Sequence, residues 1–567
     1  MIFPKNMELH LKLHEQYFLK NIKEKLGNTS ISNEVSSKYE SLFLSGVFWV
    51  LSGLSIVNKK RKYLDEVLGK NIINLIYKLV MQCLQKKEIN ENHIYNFKKK
   101  KYFLSNIDIK NIIKKSKCVK TNLNDKIRID RKEYRRKEKG DTQFFVKWSN
   151  LENTKSENFD INNHKDDNKL VELKLFGDNY VNLDNAKKTD EHCYNYTVVN
   201  SLFSRKRVTK KKYVIKGFSP CSKKWLYEPN VISTLSAIQV LFLINRISED
   251  DISTKTLLEI YNFLYFLFDE EKGFFHFSLN SFLFHFDGDM RFMFCTLSAL
   301  HFINLLLKKR NIHINLYTNR QQYIDWILLC FNLDGGFSNL PGSETRTSGP
   351  AFHRILSYGE KSLGKLQTLG EWPTSEKGGK RGKIFAPDLR CARVCAHSCL
   401  PSWLAGFPYK PVLWLCDRYD NQGMNGRVGK DSDVCYAWWV LGSLVSLKVN
   451  LSELFNVNIL INFILKCQDK CNGGFSRIEN SKNDVKKEYF NYYERESLAY
   501  KEADLFHTFF ALCALSLINH NVHRYKEKRK RKHELFGNVA FPQSLENTLK
   551  QMQHVHASFA MPAHIAH

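Results

Sequence analysis

Gly335-Gly336-Phe337-Ser338 and Gly473-Gly474-Phe475-Ser476 are near-copies of one turn, and looser versions stand at Lys216-Gly217-Phe218-Ser219 and Lys272-Gly273-Phe274. Apolar stretches rich in small residues follow at helical length. They include Thr234-Leu235-Ser236-Ala237-Ile238-Gln239-Val240-Leu241, Thr296-Leu297-Ser298-Ala299-Leu300, Cys435 to Leu447 and His507 to Ile518. From Gly273 to Gly335 is 62 positions and from Gly336 to Gly474 is 138, about two such units. A period this long fits one helical hairpin per repeat, and few segments between the turns alternate with period two, so the expected fold is mostly α. Small residues such as Ser236, Ala237, Ser298, Ala299, Gly442, Ser443, Ala511 and Ala514 let neighbouring helices approach closely. Such repeats stack as an open solenoid or close into a ring. A ring would gather the turns of one end around a common cavity and bring together residues far apart in sequence.

The chain has 567 residues, 43% hydrophobic and 13% aromatic, enough for a large core, with a net charge of +28. The surplus sits in runs such as Lys98-Lys99-Lys100-Lys101, Arg131 to Lys139, Arg205 to Lys212 and Lys526 to Lys532. These read as solvated loops, because nucleic-acid binding asks for aromatics interleaved on an ordered platform and no such module is recognisable. Fourteen cysteines without framework spacing read as reduced, intracellular thiols, and the N-terminus lacks the pattern of a signal peptide. The strongest apolar run, Leu42 to Val57, is shorter than the roughly 20 residues a bilayer needs, so no transmembrane segment is expected. Two stretches interrupt the repeats. Residues 86–215, rich in Lys, Asn and Asp, read as a largely disordered insertion. Residues 346–410 carry a Gly, Pro, Arg and Cys texture foreign to the rest, as in Glu376-Lys377-Gly378-Gly379-Lys380-Arg381-Gly382, and are expected to be anomalous, a mispredicted stretch of protein.

The chemistry concentrates in Gly426-Arg427-Val428-Gly429-Lys430-Asp431-Ser432-Asp433-Val434-Cys435-Tyr436-Ala437-Trp438-Trp439. Asp433 and Cys435 are candidate zinc ligands, but a catalytic tetrahedral site needs a third protein ligand and keeps the fourth position open. Of 19 histidines, His507 is the best placed, because Asp504-Leu505-Phe506-His507-Thr508 opens the last apolar helix as Cys435 opens its own. A lone Cys or His in an apolar helix is more often core than ligand. Arg427 and Lys430, three apart at a helix entry, can face one anion, with Tyr436 as a neutral donor. A surface Arg/Lys pair is also commonly just solvated. Trp438 and Trp439 suit either a core or the wall of a pocket for a long apolar chain.

The pattern G-R-x-x-K-x-x-D-x-C-Y-x-x-W, filled by Gly426, Arg427, Lys430, Asp433, Cys435, Tyr436 and Trp439, resembles that of protein prenyltransferase β subunits. Asp504, His507 and Thr508 match the family's D-x-x-H-T segment. The look is nearest to the type II, or Rab geranylgeranyltransferase, branch, through Asp433 to Leu441, Phe463 to Asp469 and Ser45-Gly46-Val47-Phe48-Trp49. The resemblance implies an all-α fold, a closed α/α toroid (α6–α6 barrel). Its repeats would occupy 1–85, 216–345 and 411–520, followed by a basic C-terminal tail over 521–567. It implies one zinc ion on Asp433, Cys435 and His507, with Tyr436 beside them in the catalytic set. It also implies a diphosphate site of Arg427, Lys430 and Tyr436, joined by Arg346, which stands where the family's P-G-x-E-x-H segment has His. Arg keeps the positive charge but not the proton chemistry. Lipid-pocket residues by resemblance are Ser45, Trp49, Leu235, Arg291, Phe294 and Trp439. Ser45 and Leu235 match positions that are bulky aromatics in farnesylating relatives. The room left suits a fourth isoprene, whose burial adds a few kcal/mol at ~0.8 per CH₂. Implied partners are geranylgeranyl diphosphate, a prenyltransferase α subunit in a heterodimer, and a Rab GTPase presented by a Rab escort protein, in the cytoplasm. The alternatives are a farnesyl or type I geranylgeranyl transferase β subunit acting on CaaX proteins, a terpene cyclase, for which no acidic motif is well placed, and a non-enzymatic repeat scaffold with structural zinc.

Overall fold

The computed structural model describes residues 8–27, 40–90, 104–114, 212–223, 226–283, 288–346, 409–420, 422–479, 502–532 and 541–566. The chain divides into two compact units. One holds residues 1–86, 216–309 and 314–567, the other 87–215 and 310–313. Most of the insertion 86–215 and of the anomalous stretch 346–410 lies outside the described residues. In the second unit a Ser105–Asp108 box opens a short helix, with Asp108 Oδ2 accepting the Ser105 N–H at 2.9 Å.

In the first unit the main helices are α1 (Leu11–Gly27), α2 (Phe43–Val57), α3 (Tyr63–Gln82), α4 (Val231–Leu243), α5 (Thr254–Phe266), α6 (Met290–Lys309), α7 (Arg320–Leu329), α8 (Tyr409–Cys416), α9 (Val434–Ser446), α10 (Val457–Lys466), α11 (Leu505–Lys532) and α12 (Gln543–Leu549). Side chains cap several of their first turns. Asn230 accepts from Ser233 N, Ser253 from Thr256 N, Asp433 from Cys435 N and Asn456 from Ile459 N, which satisfies amides that have no partner inside the helix. Helices α6, α4, α2, α11 and α9 pack side by side in that order, an arc of five inner helices. The small residues sit where these helices meet. Ser45 Oγ lies 3.2 Å from Ser236 Oγ between α2 and α4. A Cβ at Gly53 would stand 2.4 Å from the Phe18 ring of α1.

The turns share one device. Ser219 N, Ser338 N and Ser476 N donate to the carbonyls of Cys83, Cys330 and Cys467 at 3.0, 2.9 and 2.9 Å. The three serine hydroxyls donate to the same carbonyls. Each cysteine is the C-cap of the preceding outer helix, α3, α7 or α10, and is fully buried. In the unit that ends α5, His276 N donates to Leu267 O at 2.9 Å in the same way. The aromatic of each turn, Phe218, Phe274, Phe337 or Phe475, is buried. Two turns are then clamped to the next inner helix, Phe218 N by Thr234 Oγ1 and Phe475 N by Thr508 Oγ1. The chain between Cys83 and Ser219 is thus an insertion into one repeat turn. Short antiparallel pairs, Phe268–Asp269 with Phe274–Phe275 and Phe475–Ser476 with Ala503–Asp504, close two of the turns.

A further turn went unseen in the sequence. Around Asp420 and Gln422 to Gly426 the described residues repeat it, with Asp420 Oδ1 accepting from Gln422 N and Gly423 N, Asn425 N donating to Arg418 O at 2.9 Å and a fully buried Met424 in place of Phe. It supplies the middle unit of the long Gly336–Gly474 interval.

Met290–Lys309 and Leu505–Tyr525 are long and apolar enough to cross a membrane by length and composition. They are 67% and 83% buried inside the structure, as core helices are.

The expectation of a basic tail over 521–567 needs correction. Helix α11 runs on to Lys532, and after the lysine run Phe541 to Ala566 folds back with Leu545, Leu549, Met552, Val555, Phe559 and Met561 buried. This segment touches all five inner helices. Ser52 of α2 donates to Ala560 O at 2.7 Å and Gln239 of α4 to Phe559 O at 3.1 Å. His301 of α6 stacks on Phe559, Ser516 of α11 donates to Gln553 O, and Gly442 of α9 faces Ala557 O. The basic run dominated the composition and hid a period of apolar residues beyond it. If the segment is core, Met561→Ala, at a side chain with no exposure, should destabilise the protein by about 2–5 kcal/mol in urea unfolding. An unchanged midpoint would mean a free tail.

Candidate metal and diphosphate site

The N-terminal ends of α9 and α11 meet beside the turn 473–477. Asp433 is the N-cap of α9, with its Oδ1 accepting Cys435 N–H at 2.9 Å, and this fixes both side chains on one rim. His507, in the first turn of α11, is held from its other side by Asp504. Asp504 Oδ1 accepts His507 N at 2.9 Å and its Oδ2 lies 2.5 Å from Nδ1. Nε2 then faces Asp433 Oδ1 at 3.3 Å. The ligand atoms of Asp433, Cys435 and His507 all lie within 4.8 Å of one another.

These groups are electrostatically incomplete as they stand. Burial works to raise the Asp433 carboxyl, but the His507 imidazole and the hydrogen bonds from Cys435 together hold the group below its usual range. Burial works to lower His507, but hydrogen bonds and charge from Asp433 and Asp504 lift it to about 9. Burial, and then the Asp433 charge, push the Cys435 thiol well above its usual value. An oxygen, a sulfur and a nitrogen converging within 4.8 Å of one another, with the imidazole oriented by an outer carboxylate, are a donor set that fits zinc with one position left open. A divalent cation would resolve the mismatch by taking the place of the protons.

The anion side adjoins it. Gly426, Arg427, Lys430, Asp431, Ser432, Tyr436, Arg477 and Ile478 line a cleft of about 420 Å³. Gly426 leaves room for the Tyr436 ring, since a Cβ there would sit 2.2 Å from its outer end and force the ring to shift. Arg427 is ion-paired with Glu344, and Arg346 lies 3.6 Å from the same carboxylate. Arg346 therefore reaches this neighbourhood through Glu344 but is not part of the cleft's lining.

Beside His507 runs an aromatic wall. Trp49 meets Phe506 at 5.2 Å between ring centroids, Phe506 meets Phe510 at 4.7 Å, and Phe510 meets Trp439 at 4.6 Å. It joins two residues expected in the lipid pocket through two that the sequence reading missed. Ser45 and Leu235 are buried on the adjoining helices α2 and α4. Arg291 is exposed and forks onto Asp289 at 2.7 and 2.9 Å, and Phe294 is half-buried. Among the described residues no ring or ion-pair contact links Arg291 or Phe294 to that wall.

Sequence reasoning also missed Asp504 as the orienting partner, Glu344 and Arg477. The D-x-x-H spacing was itself the signal for Asp504, since residues three apart meet at a helix start. Glu344 stands at the Glu of the P-G-x-E-x-H segment, and Arg477 gave no signal.

The family model described as "Prenyltransferase alpha-alpha toroid domain" matches residues 9–120 and 172–561. The geranylgeranyl transferase type-2 subunit beta of Saccharomyces cerevisiae is 29% identical over 41% of this chain and 51% of its own length. That of Candida albicans is 28% identical over 32% and 40%. The geranylgeranyl transferase type-1 subunit beta of Arabidopsis thaliana is 26% identical over 36% and 44%. The chain thus spans about half the length, or less, of these three curated relatives. With a family model covering most of the sequence and an arc of inner helices joined through repeated turns, the chain belongs to the prenyltransferase alpha-alpha toroid family.

Proposed function

We propose that this chain is the catalytic β subunit of a protein geranylgeranyltransferase of type II. It would transfer geranylgeranyl from geranylgeranyl diphosphate to C-terminal cysteines of Rab-type GTPases. The observation that carries the reading is the convergence of Asp433, Cys435 and His507 beside a cationic cleft and an aromatic wall. Zinc held by those three residues would supply the Lewis acidity that keeps a substrate thiol ionised near neutral pH, against a free-thiol pKa of ~8.5.

The chain's own groups do the rest. Arg427 and Lys430 hold the diphosphate, and the Tyr436 hydroxyl donates to it as the bond to C1 breaks and negative charge gathers on the leaving oxygen. Arg346 adds positive charge at the edge. The substrate sulfur forms the new bond to C1, and diphosphate leaves with the electron pair. Trp49, Phe506, Phe510 and Trp439 line the path of the apolar chain, and the small Ser45 and the aliphatic Leu235 leave it length. An α subunit and an escort protein would present the GTPase, in the cytoplasm, where fourteen cysteines stay reduced. The second reading, a type I or farnesyl enzyme acting on CaaX proteins, draws support from the type-1 relative.

Co-expression with a matching α subunit, then labelled transfer, separates the two readings. Geranylgeranylated Rab in the presence of escort protein is expected, and product on a CaaX peptide instead would select the second. Cys435→Ala and His507→Ala should each lose zinc by elemental analysis while far-ultraviolet circular dichroism is kept; unchanged zinc in both rejects the ligand set. At pH 7 the metal-free site holds protons on Cys435 and on His507, whose pKa is lifted to about 9. Zinc uptake should therefore release about two protons and tighten as pH rises from 6 towards 9. Calorimetry in buffers of different ionisation enthalpy reads the number, and none released would contradict the site.

A further inference from the structure

Arg477 stands at a position that the repeat itself makes comparable between units. At three of the turns the residue that follows accepts a hydrogen bond from the start of an inner helix. Phe277 O takes Val231 N, Asn339 O takes Met290 N, and Arg477 O takes Val434 N, each at 3.0 Å. The side chains there are thus Phe, Asn and, in the unit that carries the site, Arg. The backbone bond to Val434 places Arg477 directly against Asp433, and its Nε lies 2.7 Å from Asp433 Oδ2. Asp433 is then divided among three partners, because Oδ1 faces Cys435 N and His507 while Oδ2 faces Arg477. Arg477 also lines the cleft with Arg427 and Lys430. One guanidinium therefore borders both the metal ligands and the anion cleft.

We propose that Arg477 couples the two sites as a positioning residue, so that metal on Asp433 strengthens diphosphate binding through it. The inference rests on the diphosphate reading above. In the metal-free protein the Asp433 carboxylate neutralises the Arg477 charge. A divalent cation on Asp433 compensates the carboxylate's charge instead, and the guanidinium, with five donors and a fixed positive charge, becomes the third cation offered to the anion. Linkage requires the reverse as well: bound diphosphate must tighten the metal by the same factor.

The test measures inorganic pyrophosphate binding calorimetrically to the full-length chain, zinc-loaded and zinc-stripped, as wild type, R477Q and R477K. Zinc should tighten pyrophosphate in the wild type. R477Q should weaken it at least about fivefold in the loaded protein and less than about twofold in the stripped one. R477K, which keeps the charge, should retain most of the coupling, and R477Q should still hold one zinc. An equal loss in both forms, no loss, or R477K behaving as R477Q would overturn the coupling. Loss of zinc from R477Q would overturn it too, by reducing Arg477 to a builder of the metal site. If the wild type binds no pyrophosphate in either form, the diphosphate reading itself falls. Binding without zinc dependence would sink the coupling alone.

Discussion

A single backbone tie organises this molecule: the last carbonyl of an outer helix accepts the N–H of the residue that ends the following turn. At Cys83, Cys330 and Cys467 the acceptor is a buried cysteine and the donor a serine that bonds twice. At two of these turns a threonine of the next inner helix then clamps the chain, Thr234 at Phe218 N and Thr508 at Phe475 N. Buried backbone polar groups need partners, and here those partners set the geometry of the repeat. The rim of helix N-termini follows from it. At the other end, the segment 541–566 covers the inner helices with apolar side chains and carbonyls.

The site is a consequence of that rim. Asp433 caps one helix, His507 starts another, and the turn between them brings Arg477 alongside. Helix N-termini favour negative charge, which suits a carboxylate cap and a diphosphate in the same neighbourhood. The buried thiol and the raised imidazole show the cost of assembling these groups without a cation. At neutral pH only His507 departs from the state it prefers in water, being held protonated, and a divalent ion would displace both that proton and the thiol's.

Much of this was legible in the sequence, and for physical reasons. Glycine turns with a following aromatic are short-range signals, and so is a cap such as Asp433 two residues before a cysteine. His507 could be named because its segment opens a helix as Cys435 opens another. The turn at Asp420–Gly426 was missed because Met424 fills the place of Phe, and burial, not aromaticity, is what the position asks for. The cysteine C-caps were missed because their role is played by a carbonyl that any residue carries. The role of Arg477 needs the contact between helix α9 and a turn some 40 residues later, which local pattern does not encode. The C-terminal segment was misread because Lys526 to Lys532 outweighed the apolar residues beyond it. Arg291, carried over by resemblance, forks onto Asp289, a pairing that the local D-x-R spacing allows.

The central claim is that Asp433, Cys435 and His507 grip one metal ion. X-ray absorption at the zinc edge of the purified full-length chain tests it most directly. The account predicts one sulfur at about 2.3 Å and nitrogen or oxygen neighbours at about 2.0–2.2 Å. A spectrum dominated by several sulfurs, or protein purified without zinc that takes up none, would contradict it.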